Sequence, residues 1–139
     1  MPTNQIKVEI DGKHIPNVLS VNYGLEVQHD TDGRPMDARP RLARIRITRM
    51  SDADTLLGDW ASHPVRGHFK SGKVSFFVPD EESKVQSTMS WSDGFVALYG
   101  EAVPHIHDER HKPMTEYVEI SAQKVKINDV EWAGDNWTA

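Results

Sequence analysis

Residues Glu26 to Pro35 read EVQHDTDGRP and separate two stretches that have the alternation of β-strands. Upstream, the segment from Val18 to Val27 places an apolar side chain at nearly every second position, which is the period of a half-buried strand. Downstream, residues 43 to 48 alternate in the same way. The sequence therefore predicts two strands joined by a long polar segment.

This connecting segment contains more turn-forming residues than a simple hairpin requires. Asp30, Asp32 and Gly33 favour turns, Pro35 removes a backbone donor, and Pro40 keeps the second strand from starting early. Loops of this length are uncommon in compact domains and are often functional. We therefore expect the segment to have a role of its own.

Similar patterns on both sides predict an antiparallel β protein. Asp11 and Gly12 form a two-residue turn signal between the alternating segment Ile6 to Ile10 and a return strand that begins at His14. Asp93 and Gly94 give a second tight-turn signal. The other predicted strands are Lys73 to Val78, Lys84 to Ser92, Phe95 to Val103 and Thr115 to Ile127.

One helix is predicted, from about Asp52 to Ser62, with Ser51 as its cap and its end before Pro64. The apolar phase of the closing strand changes after Ala122, which predicts a β-bulge near Gln123. Many short antiparallel strands with one α-helix are typical of a small β-barrel or sandwich. Trp60 and Trp91 lie in core phases, whereas Trp132 and Trp137 lie in a polar tail that we expect to be frayed beyond about residue 131.

Composition limits the function further. With 139 residues the chain fits one domain, residues 1–139, and a net charge of -5 does not favour binding to nucleic acid. The absence of cysteine excludes disulfides, thiolate zinc sites and cysteine nucleophiles. The first residues do not resemble a secretory signal, and no apolar run approaches the ~20 residues of a membrane span. We expect synthesis in the cytoplasm and no insertion into membranes.

Arginine is locally concentrated despite the acidic total. Six arginines fall between residues 34 and 49, and Arg44 and Arg46 share the solvent-facing side of their predicted strand. A run of this kind usually forms a solvated charged face. The alternative is an electrostatic contact with an acidic neighbour.

The one cluster that resembles a metal site is the histidine-rich segment from residue 105 to 111. His105 and His107 would point the same way from an extended chain, and His111 or Glu109 could complete a zinc or iron site. The segment is similar to the first motif of cupin metal enzymes, but its spacing from Gly100 is one residue short and no second motif follows. We expect a solvated loop without metal, and a cupin-like metal-binding enzyme is the alternative function.

Other chemical motifs are incomplete. Asp30 and Asp32 resemble part of a calcium-binding loop, but Pro35 and Pro40 do not fit its later positions. The sequence contains no nucleophile elbow, P-loop or dinucleotide fingerprint. These observations predict a protein that is not an enzyme and needs no cofactor.

The order of these segments resembles a known family. An opening hairpin, a strand, a D-x-D-G-R-P turn, a basic strand, one helix ending in a tryptophan and a late P-M-T-E strand are similar to the Hcp/TssD tube proteins of type VI secretion systems. The matching motifs are Asp30 to Pro35 and Lys112 to Ala122. Phage tail-tube proteins and the tube proteins of extracellular contractile injection particles share this architecture.

The resemblance implies a structural function. Such subunits form hexameric rings, and the rings stack into a hollow tube that is ejected by a contracting sheath. The implied partners are further copies of the chain, sheath, spike and baseplate proteins, and effector cargo in the lumen. The protein would leave the cell through the apparatus without a signal peptide.

Within this framework, the polar segment becomes a candidate contact between subunits or rings. Its acidic and basic side chains suit polar contacts that form and release. The candidate contact residues are Asp30, Thr31, Asp32, Gly33, Arg34, Pro35, Met36, Asp37, Arg39 and Arg41.

Overall fold

The computed structural model describes residues 5–26, 31–34, 41–51, 55–63, 66–78, 81–103 and 114–133. In these ranges the chain forms eight strands and one α-helix. The strands are β1 Gln5–Ile10, β2 Lys13–Ile15, β3 Val18–Glu26, β4 Arg41–Met50, β5 Lys70–Val78, β6 Glu81–Ala102, β7 Thr115–Ile127 and β8 Val130–Ala133. The helix α1 spans Leu56–Ala61, and a 3-10 turn covers Arg66–His68.

All eight strands belong to one antiparallel sheet, in the order β2-β1-β5-β6-β7-β4-β3, with β8 paired to the second half of β7. The sheet curls into a half-barrel, and its two ends approach each other where β1 contacts β3. A β-rich fold with one short helix confirms the predicted class. The core lines the inside of the curl and includes Val8, Ile10, Ile15, Ile45, Ile47, Leu57, Trp60, Val74, Met89, Trp91, Val96, Val118, Ile120, Ala122 and Val125.

The first hairpin and the closing strand agree with the predictions. Asp11 and Gly12 have φ values of 51° and 79°, so both residues of the β1–β2 turn adopt the left-handed conformation that a type I′ turn requires. The closing strand β7 has the predicted bounds. Trp60 and Trp91 are buried in the core, as their positions in the sequence predicted.

The prediction of a tight turn at Asp93 and Gly94 was wrong. Residues 81–102 form one continuous strand, β6, and Asp93 lies within it at φ 51°. Opposite this position the register of β5 against β6 shifts between Lys70 and Gly72, so the extra residue makes a bulge instead of a hairpin. A residue with positive φ before a glycine occurs both in hairpin turns and in bulges. Here β6 pairs with β7 on both sides of Asp93, which selects the bulge.

The bulge predicted near Gln123 also lies elsewhere. The β6–β7 pairing stays in regular register from Met89–Ile127 to Val96–Ile120 and shifts between Val96 and Leu98. Burial nevertheless changes phase along β7: Ser121 and Ala122 are both buried, and Val125 follows. The change of buried face therefore occurs between the Ser92–Lys124 and Gly94–Ala122 pairs, beside the left-handed Asp93, and involves no register shift of β7 against β6.

The helix is shorter than predicted over the described residues. It begins at Leu56, five residues after Ser51, and Thr55 occupies its N-cap position without a side-chain cap bond. Ser51 donates its backbone N–H to the carbonyl of Met114 instead of capping a helix. The helix ends before residue 64, as predicted, and packs Leu57 and Trp60 into the core. Residues 52–54 lie outside the described ranges.

The predicted tail is structured up to residue 133. Strand β8 places Trp132 opposite Val125 of β7. The turn before it contains Asn128 at φ 54°, whose side-chain oxygen accepts a hydrogen bond of 3.1 Å from the backbone N–H of Thr88. Trp137 lies outside the described residues.

Candidate functional site: a sheet edge, an arginine face and an acidic cleft

Strand β3 lies at one edge of the sheet and presents apolar side chains to solvent. Its pairing with β4 uses one side of the strand, and no other described strand pairs with it. Leu19 is 50% exposed and Tyr23 is 40% exposed, whereas the sequence pattern had predicted a buried row. Val21 faces a groove of about 620 Å³ that Ile6, Phe76 and Phe77 also line. Alternation correctly predicted the strand but did not show that Leu19 and Tyr23 on its apolar side are exposed, whereas Val21 packs against the core.

The predicted contact loop is described only in part. Thr31, Asp32, Gly33 and Arg34 form an exposed turn, and Gly33 has φ 80°, a conformation that favours glycine. Arg41 is the first residue of β4, and its backbone lies opposite that of Glu26 in β3. The other predicted contact residues, which are Asp30, Pro35, Met36, Asp37 and Arg39, lie outside the described residues.

The arginine run divides between the two faces of β4. Arg44 and Arg46 are exposed, as predicted, and both guanidinium groups lie 3.6 Å from the Glu119 carboxylate of the neighbouring strand β7. The guanidinium of Arg46 also lies 4.1 Å from the centroid of the Tyr117 ring, within the range of a cation–π contact. Tyr117 in turn covers Gly100, where an added Cβ would come within 2.4 Å of the ring. We call Arg44, Arg46, Tyr117 and Glu119 the arginine face.

Arg49 points to the opposite face and is only 2% exposed. It forms an ion pair with Glu116, and its Nε donates a hydrogen bond of 3.0 Å to the carbonyl of Pro16. This buried pair was not predicted from the sequence, where the arginines look like one charged run. The signal was present, because Arg49 continues the buried phase of Ile45 and Ile47, and Glu116 continues that of Val118 and Ile120.

Glu116 also lines a cleft beside α1. The cleft has a volume of about 550 Å³, and its lining carries three carboxylates, those of Asp59, Glu101 and Glu116. We call this feature the acidic cleft. The other lining residues are Ser51, Thr55, Gly58, Ser62, Tyr99 and Met114, so the described lining contains no lysine or arginine.

Tyr99 connects two of these carboxylates. Its hydroxyl oxygen lies 2.7 Å from Glu116 Oε2 and 2.8 Å from Glu101 Oε1. The hydroxyl carries one proton and can donate to one carboxylate at a time. Burial, followed by the hydrogen bonds and charges of Glu116 and Glu101, raises the pKa of Tyr99 above its ordinary value. The phenol therefore stays neutral and serves as a hydrogen-bond donor.

The described residues contain no group of three or more histidine, aspartate or glutamate side chains arranged to hold a metal ion. His105, His107, Glu109 and His111 lie outside those residues, so the predicted solvated loop stays a prediction. No helix among the described residues is long and apolar enough to cross a membrane.

Comparison with known structures identifies the class of protein. The fold matches Hcp1 from Flavobacterium johnsoniae with a TM-score of 0.75 and 27% sequence identity, over 92% of this chain and 98% of that one. Hcp1 from Salmonella typhimurium matches with a TM-score of 0.65 and 16% identity, over 92% of this chain and 88% of that one. A protein in the sheath–tube complex of an extracellular contractile injection system matches with a TM-score of 0.59 and 17% identity, over 94% and 92% of the two chains. The chain has the fold of the tube proteins of contractile injection systems.

The family assignment is more specific. The family model described as hemolysin coregulated protein Hcp (TssD) matches residues 3–138. The chain therefore belongs to the Hcp/TssD family, whose members are structural tube proteins, and the resemblance seen in its motifs is confirmed. A comparison with curated protein sequences found no match.

Proposed function

We propose that this chain is the inner-tube subunit of a type VI secretion apparatus, that six copies close into a ring, and that rings stack into a hollow tube. The observation that carries the proposal is the open β3 edge with Leu19 and Tyr23 exposed, in a chain of the Hcp/TssD family. An exposed edge strand offers unpaired main-chain groups and promotes pairing with another chain. A tube subunit that covers this edge with its neighbour removes that liability.

The two ends of the sheet favour a head-to-tail arrangement. The β2 edge is only three residues long and exposes Lys13 and His14, whereas the β3 edge is nine residues long and partly apolar. Charged side chains and short length protect a sheet edge from pairing. Contact between unlike surfaces closes into a ring when the rotation between copies permits it.

The turn at residues 31–34 contributes a contact to an adjacent subunit or ring in this proposal. Its exposure and its position after the β3 edge support this role. Replacing Asp32 and Arg34 with Ala while retaining Gly33 removes the charges without straining the left-handed glycine. We expect this variant to fold and to impair ring stacking, and unchanged stacking would remove the turn from the proposed interface.

Ejection is the part of the proposal that a cellular experiment tests. The tube is driven out by sheath contraction and is able to carry effectors in its lumen, with sheath, spike and baseplate proteins as partners. We expect the chain to accumulate in the medium of the source organism when the sheath is intact and to stay in the cells of a strain that lacks the sheath subunit. Equal release from both strains, with cell lysis controlled by a cytoplasmic enzyme, would contradict the proposal.

A further inference from the structure

We propose that the arginine face of one copy docks on the acidic cleft of the next copy, with the Arg44 and Arg46 guanidinium groups beside the Asp59 and Glu101 carboxylates. This inference rests on the proposed ring or tube assembly and assigns it a specific ionic contact.

The two surfaces lie on opposite sides of the same part of the sheet. Successive residues of a strand point to opposite faces. On β7, Tyr117 and Glu119 belong to the arginine face, whereas Glu116 points to the side where α1 packs and where the acidic cleft opens. Complementary patches on opposite sides cannot meet within one molecule, but they can repeat from copy to copy in a head-to-tail contact.

The arginine face carries an excess of positive charge. One carboxylate, that of Glu119, lies near two guanidinium groups, and both distances of 3.6 Å exceed the length of a hydrogen bond. The Arg46 guanidinium also lies over the ring of Tyr117. An arginine loses less side-chain entropy per hydrogen bond when it binds a carboxylate, since its planar fork is already oriented.

The acidic cleft carries an excess of negative charge. Arg49 neutralises Glu116, but the side chain of Glu101 contacts only the Tyr99 hydroxyl among the described contacts. The Asp59 side chain is 76% exposed and lies 4.0 Å from a single histidine, His63. Two carboxylates in the cleft therefore have no lysine or arginine partner within the described part of the chain.

The charges of the two surfaces match in number. A guanidinium has five N–H donors in a planar fork that fits a carboxylate, so Arg44 and Arg46 can each bind one of the two exposed carboxylates.

A charge-reversal experiment tests the contact on the full-length chain. Assembly of the wild type is compared with that of R44E/R46E, of D59K/E101K and of the four-residue variant that combines them, by native mass spectrometry and negative-stain microscopy. We expect each double variant to lose the assembled species and the four-residue variant to recover it. R44K/R46K retains the charges without the planar fork and is the matched control, which we expect to assemble more fully than R44E/R46E.

The outcomes distinguish this contact from the assembly itself. Assembly of the wild type together with unchanged assembly of both reversed variants would overturn the contact and leave the tube function standing. Loss in R44E/R46E without loss in D59K/E101K would assign the arginine face to a different acidic partner and also overturn the contact. A wild type that never assembles would contradict both proposals. Thermal unfolding of each variant identifies loss of fold, and D59K/E101K changes only exposed residues, so it tests the contact even if R44E/R46E is unstable.

Discussion

Arg49 and Glu116 are direct cross-strand partners of β4 and β7, and they form an ion pair on the buried face of the sheet. They are 2% and 5% exposed, respectively. Such a pair recovers its desolvation cost only when further hydrogen bonds satisfy both groups. The Pro16 carbonyl meets this need for Arg49, and the Tyr99 hydroxyl meets it for Glu116.

Removing one partner of this pair should be strongly destabilising. We expect Arg49→Ala to lower the free energy of unfolding by about 3–5 kcal/mol, because it leaves Glu116 as an uncompensated buried charge. The double variant R49M/E116L should recover most of the loss, since no charge then stays buried. Denaturant unfolding measures both. A double variant as unstable as Arg49→Ala would show that the loss comes from packing and not from charge.

Tyr99 should contribute a pH-dependent part of stability at alkaline pH. Its pKa is raised in the folded protein, so the folded state holds the proton more tightly than the unfolded state does. The contribution is complete below the ordinary tyrosine pKa of about 10 and declines as the pH rises above it. We expect Tyr99→Phe to cost about 1 kcal/mol at neutral pH through loss of a hydrogen bond.

Tyr99→Phe also tests the direction of this pH dependence. The stability difference between the wild type and Tyr99→Phe should shrink as the pH rises above 10, measured by urea unfolding at a series of pH values. Tyr117→Phe is the matched control, since Tyr117 points to the opposite face of β7 from Glu116 and does not line the acidic cleft. A difference that stays constant across this range would refute the role assigned to the Tyr99 proton.

Gly72 should accept a larger residue only at a cost in stability. A Cβ at this position would lie 2.2 Å from Cζ2 of Trp91, whose ring is buried and donates its Nε1 hydrogen bond to the Lys70 carbonyl. We expect Gly72→Ala to cost about 1–3 kcal/mol, because the ring must leave its position. At Gly24 a Cβ would meet no atom within 4 Å, so Gly24→Ala is the control, with a smaller expected effect in thermal unfolding. Equal effects at the two positions would contradict the packing argument.

Charged substitutions on the β3 edge should prevent assembly without unfolding the subunit. We expect L19K/Y23K to retain the cooperative unfolding of the wild type but to lose assembled species, because two charges replace exposed apolar contacts at an edge strand. Val130→Lys is the control: it introduces one lysine at an apolar residue, 53% exposed, on β8, away from the β3 edge. Sedimentation velocity measures the assembled fraction, and full assembly of L19K/Y23K would exclude this edge from the interface.

Local periodicity predicted most of the fold. The β1–β2 hairpin, the bounds of β7 and the burial of Trp60 and Trp91 followed from alternation and turn chemistry alone. The errors arose where long-range pairing decides the outcome. Asp93 and Gly94 have the local chemistry of a hairpin turn, but the pairing of β6 with β7 on both sides of them keeps the strand continuous.

The functional surfaces were harder to predict than the fold. Alternation in β3 correctly marked one apolar side, but whether that side meets the core depends on the curl of the whole sheet. In the same way, Arg46 and Arg49 look equivalent in composition and point to opposite faces of β4. The resemblance to the Hcp/TssD family depended on the order of motifs, and the family match over residues 3–138 confirmed it.

Cryo-electron microscopy of the purified protein is the decisive test of the proposed tube. We expect rings of six subunits around an open lumen, stacked into tubes, with the β3 edge covered by the neighbouring subunit. Particles that stay monomeric at all concentrations, or that assemble without a central channel, would contradict it.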